Sequence, residues 1–161
     1  GSANQPIQAE GAEVTMTTDY PNERQGAFAE EYVANSYDLE HVPNVSEWYD
    51  CVHPFTGTKY EVKSTEKRIG DDYPADGRFR LWEDQHRSLA GAEGAENQTA
   101  YYAFVLLDDG GDVVDVQRRH PSTVTRILDE RTDDGSPWNQ AGHTERDGAQ
   151  YKLPYTEVFE L

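Results

Sequence analysis

The chain has 161 residues, enough for one compact domain and little more. Acids outnumber bases, with 31 Asp and Glu against 14 Lys and Arg, for a formal net charge of −17. No apolar run approaches the roughly 20 residues of a membrane span, and the lone cysteine, Cys51, excludes an internal disulfide or a multi-cysteine zinc site. With no basic-then-apolar leader either, a cytoplasmic protein is expected. The acids are spread along the chain and interleaved with aromatics, which argues against a disordered acidic tail. The lysines are only Lys59, Lys63, Lys67 and Lys152. This pattern fits the surface of a halophile, where carboxylates hold hydration in molar salt. At ordinary ionic strength such a charge repels nucleic acid, whose affinity rests largely on neutralised phosphates. In molar salt the screening length falls to ~3 Å, so long-range repulsion fades and long-range attraction fades with it.

Residues 1–15 are polar and aperiodic and open with Gly-Ser, and they read as a tag or disordered leader. Residues 16–161 are taken as a single domain, with Met16, the sole methionine, as a candidate native start. A first helix is expected from Asn22 to Tyr37, just after Pro21, with Ala29, Tyr32, Val33 and Ser36 on one face. Glu30 falls at the border of that face and Glu31 in solvent. A β-hairpin follows, from Glu47–His53 through the Pro54–Gly57 turn to Thr58–Ser64. After an acidic loop over 69–77 comes a short extended piece, Arg78–Leu81, and a helix at Trp82–Ala90. A second hairpin joins Thr99–Leu107 to Asp112–Arg118 across Asp108–Gly111. Ser122 caps a helix running to Glu130. The Gly-rich tail from Asp133 reads as irregular, closing on Tyr151–Pro154 and a short helix. The order α, β, β, α, β, β, α implies an α/β domain around a central mixed sheet.

The chemistry concentrates on the first hairpin. Alternation sends Glu61 and Lys63 to one face of the strand and Tyr60, Val62 and Ser64 to the other. Alone, Glu-x-Lys is a common surface ion pair. Asp50, eleven residues earlier on the partner strand, changes this, because the hairpin can bring it beside Glu61. Two adjacent carboxylates repel each other and raise a pKa unless a cation sits between them. They also make a minimal site for Mg2+, which takes oxygen ligands and keeps several waters. A lysine at such a site can orient an attacking water and neutralise developing charge. His41, His53, His86, His120 and His143 have no metal-ligand spacing. His53 reads as a turn residue, Cys51 as core, and the Asp108–Asp112 segment as a hairpin turn.

Asp50 followed by Glu61-Val62-Lys63-Ser64-Thr65 resembles the PD-(D/E)xK nuclease superfamily, which includes restriction endonucleases and archaeal Holliday junction resolvases. Gly26-Ala27-Phe28-Ala29-Glu30-Glu31 is similar to the opening helix of the resolvase-like members, whose glutamate adds a metal ligand. The resemblance covers Asn22 to about Leu107; Tyr49 stands where the motif has proline. It implies a restriction-endonuclease-like fold, a central mixed β-sheet flanked by helices, and a Mg2+-dependent deoxyribonuclease in which Mn2+ can substitute. By it, Asp50, Glu61 and Glu30 hold the metal, with Glu31 as the fallback for Glu30. Lys63 positions the nucleophile, and Gln85 or His86 approaches the site from the following helix, unless both simply face solvent on an amphipathic helix. DNA is the implied substrate, a homodimer the implied assembly, and Arg78, Arg80 and Arg87 candidate phosphate contacts. Two other readings stay open: a Holliday junction resolvase, and a non-catalytic acidic binding or assembly protein that keeps the fold.

Overall fold

The computed structural model describes residues 20–69, 75–96, 98–139 and 148–160. The expected leader and domain start at Met16 lie outside them. Helix α1 runs Tyr20–Ser36. Pro21 lies in its first turn rather than before it, a position where the missing N–H costs nothing. The helix closes where Asp38 takes a positive φ of 56° and Leu39 N–H reaches back to the Ala34 carbonyl at 2.8 Å. Its buried stripe is narrow and small: Ala29, Val33 and Ala34. Tyr32, expected on that stripe, is instead exposed and packs on Phe28, with ring centroids 6.2 Å apart.

Strands β1 (Glu40–His41), β2 (Cys51–Val52) and β3 (Lys59–Glu66) follow. After two short strands, β4 (Arg68–Ile69) and β5 (Ala75–Asp76), come β6 (Arg78–Trp82) and helix α2 (Glu83–Gly94). Strands β7 (Ala100–Leu107) and β8 (Val113–Arg119) form the second hairpin, helix α3 spans Pro121–Glu130, and β9 covers Gln150–Pro154 between two 3-10 turns. The main sheet has the order β1-β2-β3-β7-β8. It is mixed: β3 runs parallel to β7, and the other pairings are antiparallel. Crossing from β3 to β7 through β6 and α2 puts that helix on one sheet face.

The sheet separates two cores. On one side Tyr60, Val62, Ala103, Val105 and Leu107 pack against Ala29 and Val33 of α1. On the other, Tyr102, Phe104 and Leu106 pack with Phe79, Leu81, Leu89, Val124, Leu128 and Leu153 from α2, α3 and the β6–β9 ribbon. Strand β7 is buried almost throughout, as a central strand covered on both faces must be.

Three local expectations need correction. The first hairpin strand is ladder-bonded only at Cys51–Val52; residues 47–50 are irregular, although Asp50 N–H still donates to the Tyr60 carbonyl at 2.8 Å. Ser122 does not cap α3, because Pro121 occupies the first helical position and His120 the cap. Ser122 binds Glu93 of α2 instead, its N–H at 2.9 Å and its hydroxyl at 2.8 Å, so a carboxylate from the neighbouring helix sits at the positive end of α3. The tail is not all irregular: β9 pairs antiparallel with β6, with Arg80 opposite Lys152.

Candidate active site

Asp50, Glu61 and Lys63 meet at the open side of β3, on the face turned toward α2. Glu61 and Lys63 alternate onto that face as their spacing requires, while Tyr60 and Val62 lie in the opposite core. Asp50 stops short of the ladder, and its side chain turns in to accept the Val62 N–H at 3.0 Å. That bond fixes the carboxylate against β3, so the aspartate is held by backbone rather than by a flexible partner.

Glu61 is only 5% exposed, and its Oε2 lies 3.0 Å from Lys63 Nζ. Burial pushes its pKa up to about 8; the Lys63 charge opposes this, while Asp50 adds to it by charge and by a side-chain hydrogen bond. The same crowding reaches outward. The Cys51 thiol is pushed up to about 12, chiefly by burial and then by Asp50, Glu30 and Glu61. Glu30 is raised by burial and then by the Asp50 charge. Acids pressed together in this way are eased by a cation.

Lys63 is held on two sides. Besides Glu61, its Nζ donates to Gln85 Oε1 at 2.9 Å. Gln85 sits in the first turn of α2, and its Nε2 donates to the Glu47 carbonyl at 2.6 Å, so one amide ties the lysine to the loop before Asp50. A cleft of about 380 Å³ opens beside Gln85, lined by Val45, Glu47, Trp48, Asp84 and Ser88. His86, the next residue, points the other way into the core, where Nδ1 meets Tyr102 Oη at 2.9 Å and Nε2 meets Thr125 Oγ1 at 2.7 Å. It is structural, and of the two candidates on α2 only Gln85 touches the site.

Glu30 comes from α1 on the far side of Asp50. Its Oε1 lies 2.7 Å from His41 Nε2, and Glu31 is exposed. Nothing in the sequence singles out His41, since the histidines lack metal-ligand spacing. The two-residue strand β1 pairs His41 with Cys51 and so delivers the ring to Glu30. Among the described residues, no three His, Cys, Asp or Glu side chains form a ready-made metal cluster. Asp50 and Glu61 are adjacent, while Glu30 is turned to His41. The donor set is therefore two carboxylates with a third nearby, all hard oxygens, which suits Mg2+ or Mn2+ with waters filling the remaining positions.

The other motif residues have local roles. His53 Nδ1 accepts the Phe55 and Thr56 N–H groups at 3.2 and 3.1 Å, closing the turn where Gly57 has φ 76°. Asp108 Oδ1 accepts the N–H groups of Gly110 and Asp112, each at 2.9 Å. Arg87 is paired with Glu83 of its own helix at 2.6 Å.

A mixed sheet with an Asp…Glu-x-Lys constellation on the open side of a central strand defines a nuclease-type α/β domain. The profile of the PD-(D/E)XK nuclease superfamily domain matches residues 16–160, and the chain belongs to that superfamily. A comparison with curated proteins finds no match. The restriction-endonuclease-like architecture expected from the motif is the one observed.

Proposed function

We propose that this chain is a divalent-metal-dependent DNA endonuclease, hydrolysing phosphodiester bonds by attack of a water molecule. The observation that carries the reading is the convergence of Asp50, buried Glu61 and Lys63 on one strand face, with Lys63 clamped by Gln85. Asp50 and Glu61 would hold the cation, with Glu30 as a third ligand, through water or by leaving His41. Bound there, Mg2+ or Mn2+ supplies Lewis acidity at a phosphoryl oxygen and lowers the pKa of a coordinated water. Lysine has three N–H donors. Two go to Glu61 and Gln85, and the third is left to orient the attacking water or meet the charge that develops on phosphorus oxygens. Cutting both strands of a duplex needs two such sites, so the working unit in this reading is a homodimer.

The test is incubation with plasmid, linear, single-stranded and branched DNA, in high salt with Mg2+ or Mn2+, beside Asp50→Ala. Metal-dependent cleavage lost in the variant supports the reading. Cleavage of branched DNA alone would make the protein a junction resolvase. No cleavage and no Mn2+ binding would make it a non-catalytic member of the superfamily.

A further inference from the structure

We propose that the outer face of the β6–β9 ribbon is a docking track for the phosphate backbone of DNA, with Arg78, Arg80 and Lys152 as its contacts. The proposal rests on the nuclease reading above and identifies the surface that would hold its substrate. The two strands, Arg-Phe-Arg-Leu-Trp and Gln-Tyr-Lys-Leu-Pro, carry three cations and no acid, in a chain where acids outnumber bases by 31 to 14. Alternation sorts them. Phe79, Leu81, Tyr151 and Leu153 face the core, so Arg78, Arg80 and Lys152 share the outer side, with Arg80 registered opposite Lys152.

Both arginines are exposed, and among the described residues neither forms an ion pair. Three other cations are used differently: Lys63 is paired with Glu61, Arg87 with Glu83 and Arg131 with Glu157. The Cα atoms of residues on alternate positions of one strand stand ~6.7 Å apart. That is about twice the ~3.4 Å axial spacing of phosphates along one DNA strand. Arginine can also meet each phosphate with two parallel N–H bonds.

The ribbon is anchored to the catalytic strand. Gly77, just before β6, donates its N–H to the Lys67 carbonyl at 2.8 Å, and a Cβ there would collide with the Glu66 carbonyl oxygen at 1.8 Å. It would also lie 2.6 Å from Thr65 Oγ1, which shares the β3 face of Glu61 and Lys63. At its other end β6 runs directly into α2 and Gln85. The track thus continues from the same side of the sheet as the acids. The acids flanking the two strands in sequence are Asp76, registered opposite Arg68, Glu83 and Asp84 in the first turn of α2, and Glu157 after β9.

The test compares wild type, the double variant Arg78→Gln/Arg80→Gln, and Arg126→Gln, which removes an exposed charge from α3. Binding of a fluorescein-labelled duplex is followed with Ca2+ in place of Mg2+, over the KCl range in which each protein stays folded by circular dichroism. The double variant should bind at least tenfold more weakly, with a log–log salt slope shallower by about 2, at ~0.9 per phosphate. Arg126→Gln should match wild type in both affinity and salt slope. Wild-type binding by the double variant, while wild type cuts DNA, would overturn the track and leave the nuclease reading standing. An equal loss in Arg126→Gln would overturn it too, because net charge rather than this face would then be responsible. If wild type neither binds nor cuts DNA, the nuclease reading fails and the track with it.

Discussion

Glu30 Oε1 and His41 Nε2 lie 2.7 Å apart, joining α1 to the edge strand β1 beside Asp50. In the proposed site Glu30 would add its carboxylate to those of Asp50 and Glu61, directly or through water. Glu30→Gln is therefore expected to lower cleavage at least tenfold, ~1.4 kcal/mol of transition-state stabilisation, and Glu31→Gln to be nearly silent. His41→Ala should raise the Mn2+ concentration needed for half-maximal activity, and His41→Gln, which can still donate to Glu30, should restore part of it. A reversal of the two glutamates would mean that the α1 register at the site is wrong.

Asp50 crowds a buried carboxyl, so above about pH 8, where Glu61 carries its charge, removing the Asp50 charge should relieve repulsion when no cation is present. Asp50→Asn keeps an oxygen for the Val62 N–H. It should melt a few degrees above wild type in EDTA, since ~1 kcal/mol is worth about 2–4 °C in a domain of this size. Added Mn2+ should reverse the order by stabilising wild type alone, and cleavage by the variant should be undetectable. A variant that melts lower in EDTA would show that the two acids are not in conflict.

Gln85 Oε1 accepts from Lys63 Nζ at 2.9 Å, so in the proposed site it would position the amine rather than meet substrate. Gln85→Ala should slow single-turnover cleavage about ten- to a hundredfold, ~1.4–2.7 kcal/mol, with DNA affinity unchanged. An unaltered rate would mean that Glu61 alone positions the amine.

His86 is buried between Tyr102 and Thr125, and its pKa is lowered from 6.5 to about 4, mainly by burial and then by Arg87. Its neutral form is the folded one, so the sign is fixed. Above pH 6.5 the ring is neutral in both folded and unfolded chains and costs nothing. As pH falls from 6.5 toward 4, only the unfolded chain takes up the proton, and stability drops by up to ~3 kcal/mol. Thermal melts of wild type and His86→Gln across that window should show a steeper acid decline in wild type. Parallel curves would refute the assignment.

The carboxylate surface predicts salt dependence. Between molar and ~0.1 M KCl the screening length grows from ~3 to ~10 Å, and self-repulsion of a −17 chain grows with it. The melting temperature should fall steadily over this range, and a flat profile would count against a halophilic adaptation.

The hairpin of the candidate site is legible because its signals are local: alternation puts Glu61 with Lys63, and a short Pro/Gly turn brings back Asp50. Gln85 was reachable only through the superfamily resemblance, and nothing nearby distinguished it from His86, whose partners are 16 and 39 residues away. His41 was invisible for a related reason. Its strand has two residues, too few for any periodicity, and its role depends on a register with Cys51. The β9 strand was read as tail because Tyr151 and Leu153 look irregular until Phe79 and Leu81 supply the surface they cover. Ser122 obeyed a real capping preference, yet Pro121 moved the helix start and Glu93 offered a charged acceptor.

The pairing of β6 with β9 also sets an order of events during folding. Arg80 and Lys152 are roughly 70 residues apart, so this contact closes a long loop, whereas the β2–β3 and β7–β8 hairpins close short ones. The hairpins and α1 can assemble while β6 still lacks its ladder partner. Until β9 arrives, Phe79 and Leu81 sit on an open edge beside the catalytic strand, and that edge is a ready template for another chain. On a ribosome the interval lasts several seconds at ordinary elongation rates. The closing strand therefore acts as an edge guard, and variants that weaken it, such as Leu153→Ala, should aggregate during synthesis more than their equilibrium stability alone would suggest.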